Sequence, residues 1–281
     1  MKTLYLECNM GAAGDMLMSA LSELLPEPHG FIARLNKLNI PNVTVTAEKA
    51  VKCGITGTHI HVMVNGSEEN GHMHNHGHEH HHHSGMKELE AIINNLDVSE
   101  AVRKNAIAAY RLIAEAESHV HGREIDNIHF HEVGTMDAVT DIVGTCMLIE
   151  ELAPDKIIAS PVHVGSGQVK CAHGILPVPA PATAYILRDI PIYGGEIRGE
   201  LCTPTGAALL KLFVSEFKAL PCMKLSKVGY GIGTKDFDTA NCLRAMIGET
   251  EETDTAVELC CNIDDMTGEE IGFAVERLRC V

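Results

Sequence analysis

The chain has no run of 18 apolar residues, so nothing in it reads as a membrane-crossing helix. A signal-peptide pattern is also missing. Met1-Lys2-Thr3-Leu4-Tyr5-Leu6-Glu7 reads as a short strand, which points to a cytoplasmic protein. Positive charge is scarce: 22 Lys and Arg stand against 38 Asp and Glu, for a formal net charge of −16. That balance argues against nucleic acid or an anionic membrane as partner and suits the attraction of cations. The ten cysteines include no CxxC pair. Without a secretion signal, reduced thiols that mostly serve as core residues are expected rather than disulfides. The small-residue loop Asn9-Met10-Gly11-Ala12-Ala13-Gly14 lacks the lysine of a P-loop, so triphosphate hydrolysis by that route is not supported.

What is present in excess is histidine. His72, His74, His76, His78, His80, His81, His82 and His83 put eight imidazoles into twelve residues. Imidazole is the usual side-chain ligand for nickel, zinc and copper. Such a tract cannot bury apolar area and reads as a loop that catches divalent metal without fixing a catalytic geometry.

Apolar residues make up 45% of the 281-residue chain, enough for a sizeable core in two domains or one large one. The pattern predicts an α/β (α+β) protein. Residues 1–64 read as a β-α-α-β-β unit: a strand at Thr3–Glu7, helices at Asp15–Leu25 and Phe31–Leu38, and a hairpin of Val43–Val51 with Thr56–Val64. Residues 65–85 form the His-rich loop. A larger mixed α/β domain spans 86–248, with helices near Met86–Leu96, Ser99–His119 and Met136–Glu151. It continues through a strand at Lys156–Val164, a helix opening at Thr203, and strands at Met223–Tyr230 and Asn241–Ile247. Pro177, Pro179 and Pro181 stiffen an extended segment between them. An acidic linker at 249–255 precedes 256–281, where a strand (Ala256–Ile263) and a helix (Thr267–Arg279) read as the beginning of an incomplete C-terminal domain.

His129-Phe130-His131-Glu132, followed by Asp137 and Asp141, is the strongest chemical constellation. In an extended segment His129 and His131 share a face, and Asp137 and Asp141 share one on a helix. Two imidazoles with carboxylates can hold a divalent metal or set a general base beside it. The plainer alternative is that Asp137 charges a helix start and the histidines bond a core edge. Cys171-Ala172-His173-Gly174 places a thiol near an imidazole, and His163 could reach the same region. His119 and His121 end a helix; His59 and His61 share one strand face, either solvated or lining a cleft.

Two segments offer backbone N–H groups to a phosphate: Asn9–Gly14, with Gly11, Gly14 and Asp15, and Thr203-Pro204-Thr205-Gly206, with Thr203, Thr205 and Gly206. Gly229-Tyr230-Gly231-Ile232-Gly233-Thr234-Lys235 reads as a wide glycine turn, because a strand rather than a helix follows it. Lys235 is a lesser candidate for an anion.

Taken in order, these segments resemble the LarC family of nickel-insertion proteins. The matching stretches are Gly11–Met16, His129–Gly134 with Asp137 and Asp141–Gly144, Ser160-Pro161-Val162, Cys171–Thr183, Thr203–Ala208, and Gly229-Tyr230-Gly231 with Leu243-Arg244. The resemblance implies a nickel chelatase that inserts Ni²⁺ into pyridinium-3,5-bisthiocarboxylic acid mononucleotide. CTP, with Mg²⁺ or Mn²⁺, would be hydrolysed by the full-length protein. It also implies that His129, His131, Asp137, Asp141 and His173 bind metal, with His131 or Glu132 as the base and the His tract as an accessory. A second-half polypeptide and a homo-oligomer are the implied partners. Asn262–Glu269 resembles the opening of the family's second half, where CTP would bind. The rival readings are a nickel storage or delivery protein built on the tract, and a metal-dependent phosphohydrolase built on His129, His131 and Asp137.

Overall fold

A computed structural model of the chain describes residues 1–68, 85–125, 128, 130, 133–171, 174–251 and 264–278. The His tract (72–83), His129, His131, Glu132, His173 and the expected strand at 256–263 lie outside the described residues. Residues 1–251 form one compact unit and 252–281 a second.

The first unit begins with β1 (Lys2–Glu7), α1 (Gly14–Ser22), α2 (Pro28–Lys37), β2 (Val43–Lys52), β3 (Ile55–Val64) and β4 (Ser67–Glu68). Helices α3 (Met86–Asn94), α4 (Glu100–His121) and α5 (Met136–Leu152) follow. The chain continues through β5 (Lys156–Ala159), β6 (Val162–His163), β7 (Gly165–Ser166), β8 (Gln168–Cys171), β9 (Gly174–Pro177) and α6 (Pro181–Ile186). Next come β10 (Ile192–Tyr193), β11 (Gly199–Glu200), α7 (Pro204–Phe213), β12 (Glu216–Phe217), β13 (Lys224–Ile232) and β14 (Cys242–Glu249). The second unit carries α8 (Gly268–Leu278). Among the described residues no helix is long and apolar enough to cross a membrane.

One mixed sheet runs β12-β5-β1-β14-β13-β3-β2, with β4 on β3. β1 pairs in parallel with β5 and antiparallel with β14, so the first strand of the chain sits mid-sheet. The stretches read separately as 1–64 and 86–248 therefore share one sheet. The expected strand at Lys156–Val164 is shorter in the sheet. The strand ends at Ala159, the Ser160 N–H still donates to Leu6 O (2.9 Å), Pro161 follows, and Val162-His163 pair with β10 in a small sheet of their own.

Helices α1 and α5 are buried almost all round, as expected of helices packed between a sheet and other helices. α4 is amphipathic, burying Val102, Ala106, Ala109, Tyr110 and Ile113. Ser99 caps its start by accepting from the Val102 N–H, and Gly122 closes it in the left-handed conformation. The segment Gly229–Gly233, read as a wide turn, instead lies mostly in β13. Its glycines let α1 rest directly on the strand. A Cβ on Gly229 would come 2.1 Å from the Ala20 carbonyl, and one on Gly231 would come 1.9 Å from that of Met16. Glycine spacing alone does not distinguish a turn from a strand under a helix. Of the prolines, Pro181 opens α6 rather than extending the rigid segment.

The seven described cysteines are free, with Cys8, Cys146 and Cys202 buried and Cys53 and Cys222 exposed. Burial pushes the Cys8 thiol up to about 12, and the Cys146 and Cys202 thiols are likewise raised by burial first.

Candidate functional site

The loop between β1 and α1 is where the candidate residues meet. The parallel strands β1 and β5 end beside each other, and the Cys8 N–H donates to Ser160 Oγ (2.9 Å). In open sheets this carboxyl edge is where ligands bind. Gly11 turns the loop with φ +77°, and a Cβ there would sit 2.0 Å from the Leu201 carbonyl. That turn brings in the start of α7. Ala12 N–H donates to Leu201 O (3.1 Å), and Thr203 N–H donates to Ala12 O (3.0 Å). Gly206 packs on the Ala12 carbonyl, with room for no side chain.

The two phosphate candidates thus come together as one surface. Within the first turn of α7, Thr203 Oγ1 accepts from Gly206 N–H (3.2 Å), Ala207 N–H goes to Thr203 O, and Pro204 has no N–H. Lys235 stands close by, its Nζ donating to Glu200 O (3.1 Å). Thr205 is buried. At the loop end of β1, Glu7 pairs with Arg244 of β14 (2.6 Å).

On the other flank of the loop stand the carboxylates. Asp141 of α5 packs against the first residue of α1: a Cβ on Gly14 would lie 2.6 Å from Asp141 Oδ2. The Asp15 backbone N–H donates to the Asp141 carboxylate. Asp141 is 6% exposed, and its Oδ1 has no hydrogen-bond partner among the described residues. Burial, then Asp137, then Asp15 hold its carboxyl well above the usual carboxylate range; the Asp15 N–H pulls the other way.

Asp137 is half-buried in the first turn of α5, behind the capping Thr135. Tyr110 of α4 is fully buried, and its hydroxyl has no hydrogen-bond partner among the described residues. Burial, then Asp141 and Asp137, raise its ionisation above the ordinary value. Phe130, the residue between the two candidate histidines, is buried edge-on to Tyr110 at 6.1 Å. Among the described residues no three His, Cys, Asp or Glu side chains stand close enough to hold a metal ion together.

The histidines outside this constellation take structural places. His59 is buried with Nδ1 2.6 Å from Ile232 O, and His61 faces Glu48 at 3.1 Å. His119 lies against Tyr185 and His121 against Glu117. Cys171 is half-buried at the end of β8.

His163 is the residue whose role sequence reasoning left open. Its Nδ1 lies 2.9 Å from the Asn9 carbonyl. A carbonyl only accepts, so Nδ1 carries a proton and donates it to Asn9 O. Nε2 is buried without a partner among the described residues, beside Gly195, where a Cβ would approach to 2.5 Å. Tyr193 stacks on the ring at 4.7 Å. Its position on a strand end was readable; the carbonyl 154 residues away was not.

Residues 4–280 match the family model described as "Nickel insertion protein". A Clostridium kluyveri protein named pyridinium-3,5-bisthiocarboxylic acid mononucleotide nickel insertion protein is 43% identical over 286 residues, covering 99% of this chain and 70% of the relative. Relatives of the same name from Clostridium acetobutylicum and Geobacillus kaustophilus are 41% and 39% identical, again over 99% of this chain and 72% and 70% of their own lengths. No solved structure matches the chain.

Proposed function

Since the chain belongs to the nickel insertion protein family, we propose that it is a nickel chelatase, inserting Ni²⁺ into pyridinium-3,5-bisthiocarboxylic acid mononucleotide in the cytoplasm. The family match along nearly the whole chain carries this reading. Nickel is the substrate metal, and it ends bound to two sulfurs and one ring carbon. It arrives hydrated, must shed water at an N/O site, and is then taken by softer sulfur donors.

In this reading Asp137 and Asp141, with His129, His131 and His173, hold the ion in transit. His131 or Glu132 takes the proton released when the ring C–H gives way to the metal–carbon bond. The nucleotide phosphate rests on the surface formed by Asn9–Gly14 and Thr203–Gly206. Support comes from the meeting of those two segments and from Lys235 near their edge. The tract at His72–His83 gathers metal when it is scarce.

CTP with Mg²⁺ or Mn²⁺, a second-half polypeptide and a homo-oligomer belong to the same proposal. The described residues do not fit a triphosphate. The Asn9–Gly14 loop has no lysine, and Asp15 follows it directly.

The test is insertion itself. The purified chain, the bisthiocarboxylate mononucleotide, NiCl₂ and CTP with Mg²⁺ are combined, and the nickel-bearing nucleotide is measured by mass spectrometry. Product that depends on the protein supports the reading; none, at any nickel concentration and with the second-half polypeptide added, refutes it. His131→Ala at the wild-type rate removes that residue from the chemistry. Deletion of residues 72–83 should matter only at low nickel, whereas a storage protein would lose its capacity outright.

A further inference from the structure

Aromatic side chains are scarce in this chain, with five Tyr, six Phe and no Trp. Among the described residues of the first unit all of them are buried or half-buried except Tyr193 of β10, which is 39% exposed. The His163 ring lies against one face of it, centroids 4.7 Å apart and planes 11° from parallel. That is the geometry of stacked aromatic rings. What stands open on Tyr193 is therefore its opposite face and rim. Half-buried Tyr185 differs, because the Arg188 guanidinium already lies 3.6 Å over its ring.

The support beneath Tyr193 is fixed. His163 is 6% exposed, and its Nδ1 donates to Asn9 O at 2.9 Å. Gly195 lies over the Nε2 edge, where a Cβ would come within 2.5 Å. The Tyr193 backbone is tied down as well, its carbonyl accepting from the Val164 N–H (3.0 Å). One imidazole thus separates an open aromatic face from Asn9, the first residue of the loop Asn9–Gly14.

We propose that the open face of Tyr193 is the platform on which the pyridinium ring of the mononucleotide stacks. The inference rests on the reading of the chain as a nickel insertion protein, and it gives the ring a place beside the loop to which that reading assigns the phosphate. A pyridinium ring is planar and electron-poor, with positive charge at its nitrogen. The face of a phenol is electron-rich, so the two attract. An aliphatic side chain would offer contact without preference for charge, and a basic one would repel the ring. Because Tyr193 rests on His163 and His163 is bonded to the loop, ring and phosphate meet one rigid support. That limits the freedom of the ring before the metal arrives.

Calorimetric titration of the full chain, without nickel or CTP, tests this. The probes are the bisthiocarboxylate mononucleotide, nicotinamide mononucleotide, its dihydro form and ribose 5-phosphate. The last three share a phosphate end and carry a charged ring, an uncharged ring of similar shape, and no ring. Wild type should bind nicotinamide mononucleotide on the order of fivefold to thirtyfold more tightly than ribose 5-phosphate, with the dihydro form between them. Tyr193→Leu should weaken the bisthiocarboxylate and nicotinamide mononucleotides by that factor and leave ribose 5-phosphate unchanged. Tyr193→Phe should keep most of the ring's advantage.

Undiminished binding of the bisthiocarboxylate mononucleotide in Tyr193→Leu overturns the platform and leaves the parent reading standing. Equal wild-type affinity for the charged and dihydro rings overturns the pairing of pyridinium with phenol. That comparison needs no variant, so it decides even where Tyr193→Leu fails to fold. A wild-type chain that binds none of the four probes overturns both readings.

Discussion

Gly14→Ala should destabilise the protein, while the same change at Gly30 should stabilise it. Both glycines lie in the first turn of a helix, and alanine is favoured over glycine inside helices by about 1 kcal/mol at most. At Gly30 the new methyl meets only the tip of the Arg34 side chain, at 3.7 Å. That guanidinium tip can move aside, so the propensity gain survives. At Gly14 the methyl would fall 2.6 Å from Asp141 Oδ2 and 2.7 Å from its Cβ. Asp141 has nowhere to go, since it is buried on α5, itself packed on α1.

Overpacking of this kind costs about 1–3 kcal/mol, which outweighs the propensity gain. The expected net loss for Gly14→Ala is about 1–2 kcal/mol, or roughly 2–8 °C in melting temperature for a domain of this size. Gly30→Ala should gain up to about 1 kcal/mol. Urea and thermal unfolding in EDTA measure both. A Gly14→Ala protein as stable as Gly30→Ala refutes the placement of Asp141 against the start of α1.

Gly231→Ala should be worse still, because its methyl would meet the Met16 carbonyl at 1.9 Å, a backbone atom that cannot rotate away. A loss near or above about 3 kcal/mol, or failure to fold, is expected in expression and urea unfolding. The metal-free protein should lose stability as pH rises. Asp141 titrates higher folded than unfolded, so above the unfolded value of 3.8 the folded state holds the extra proton and its advantage shrinks with pH. Urea midpoints measured in EDTA should fall across that range, and Asp141→Asn should flatten the fall; an unchanged slope would contradict it. Iodoacetamide at pH 8 should label Cys53 and Cys222 readily and leave Cys8, Cys146 and Cys202 untouched in the native state, as peptide mapping would show.

Much of the molecule was legible without coordinates because local rules carry it. The hairpin of β2 and β3 follows from alternation and a two-residue turn at Cys53-Gly54, both at positive φ. α4 follows from its apolar stripe, its Ser99 cap and its closing Gly122. Thr203 was recognisable as a cap because the hydroxyl needs only a neighbouring N–H three residues on. The face shared by Asp137 and Asp141 is a matter of helical pitch.

Other features depended on contacts distant in sequence. That β1 runs mid-sheet between β5 and β14 is set by pairings about 150 and 245 residues away, which no local period encodes. The glycines of β13 gained their meaning only when α1 was laid on them. His163 found its partner in a carbonyl at Asn9. The same holds for the candidate site. The residue types were written in the chain: the acids, the imidazole tract and the net negative charge. That the Asp15 N–H donates to the Asp141 carboxylate was decided by the packing of α1 on α5, because such a partnership depends on distance through the fold and not along the sequence.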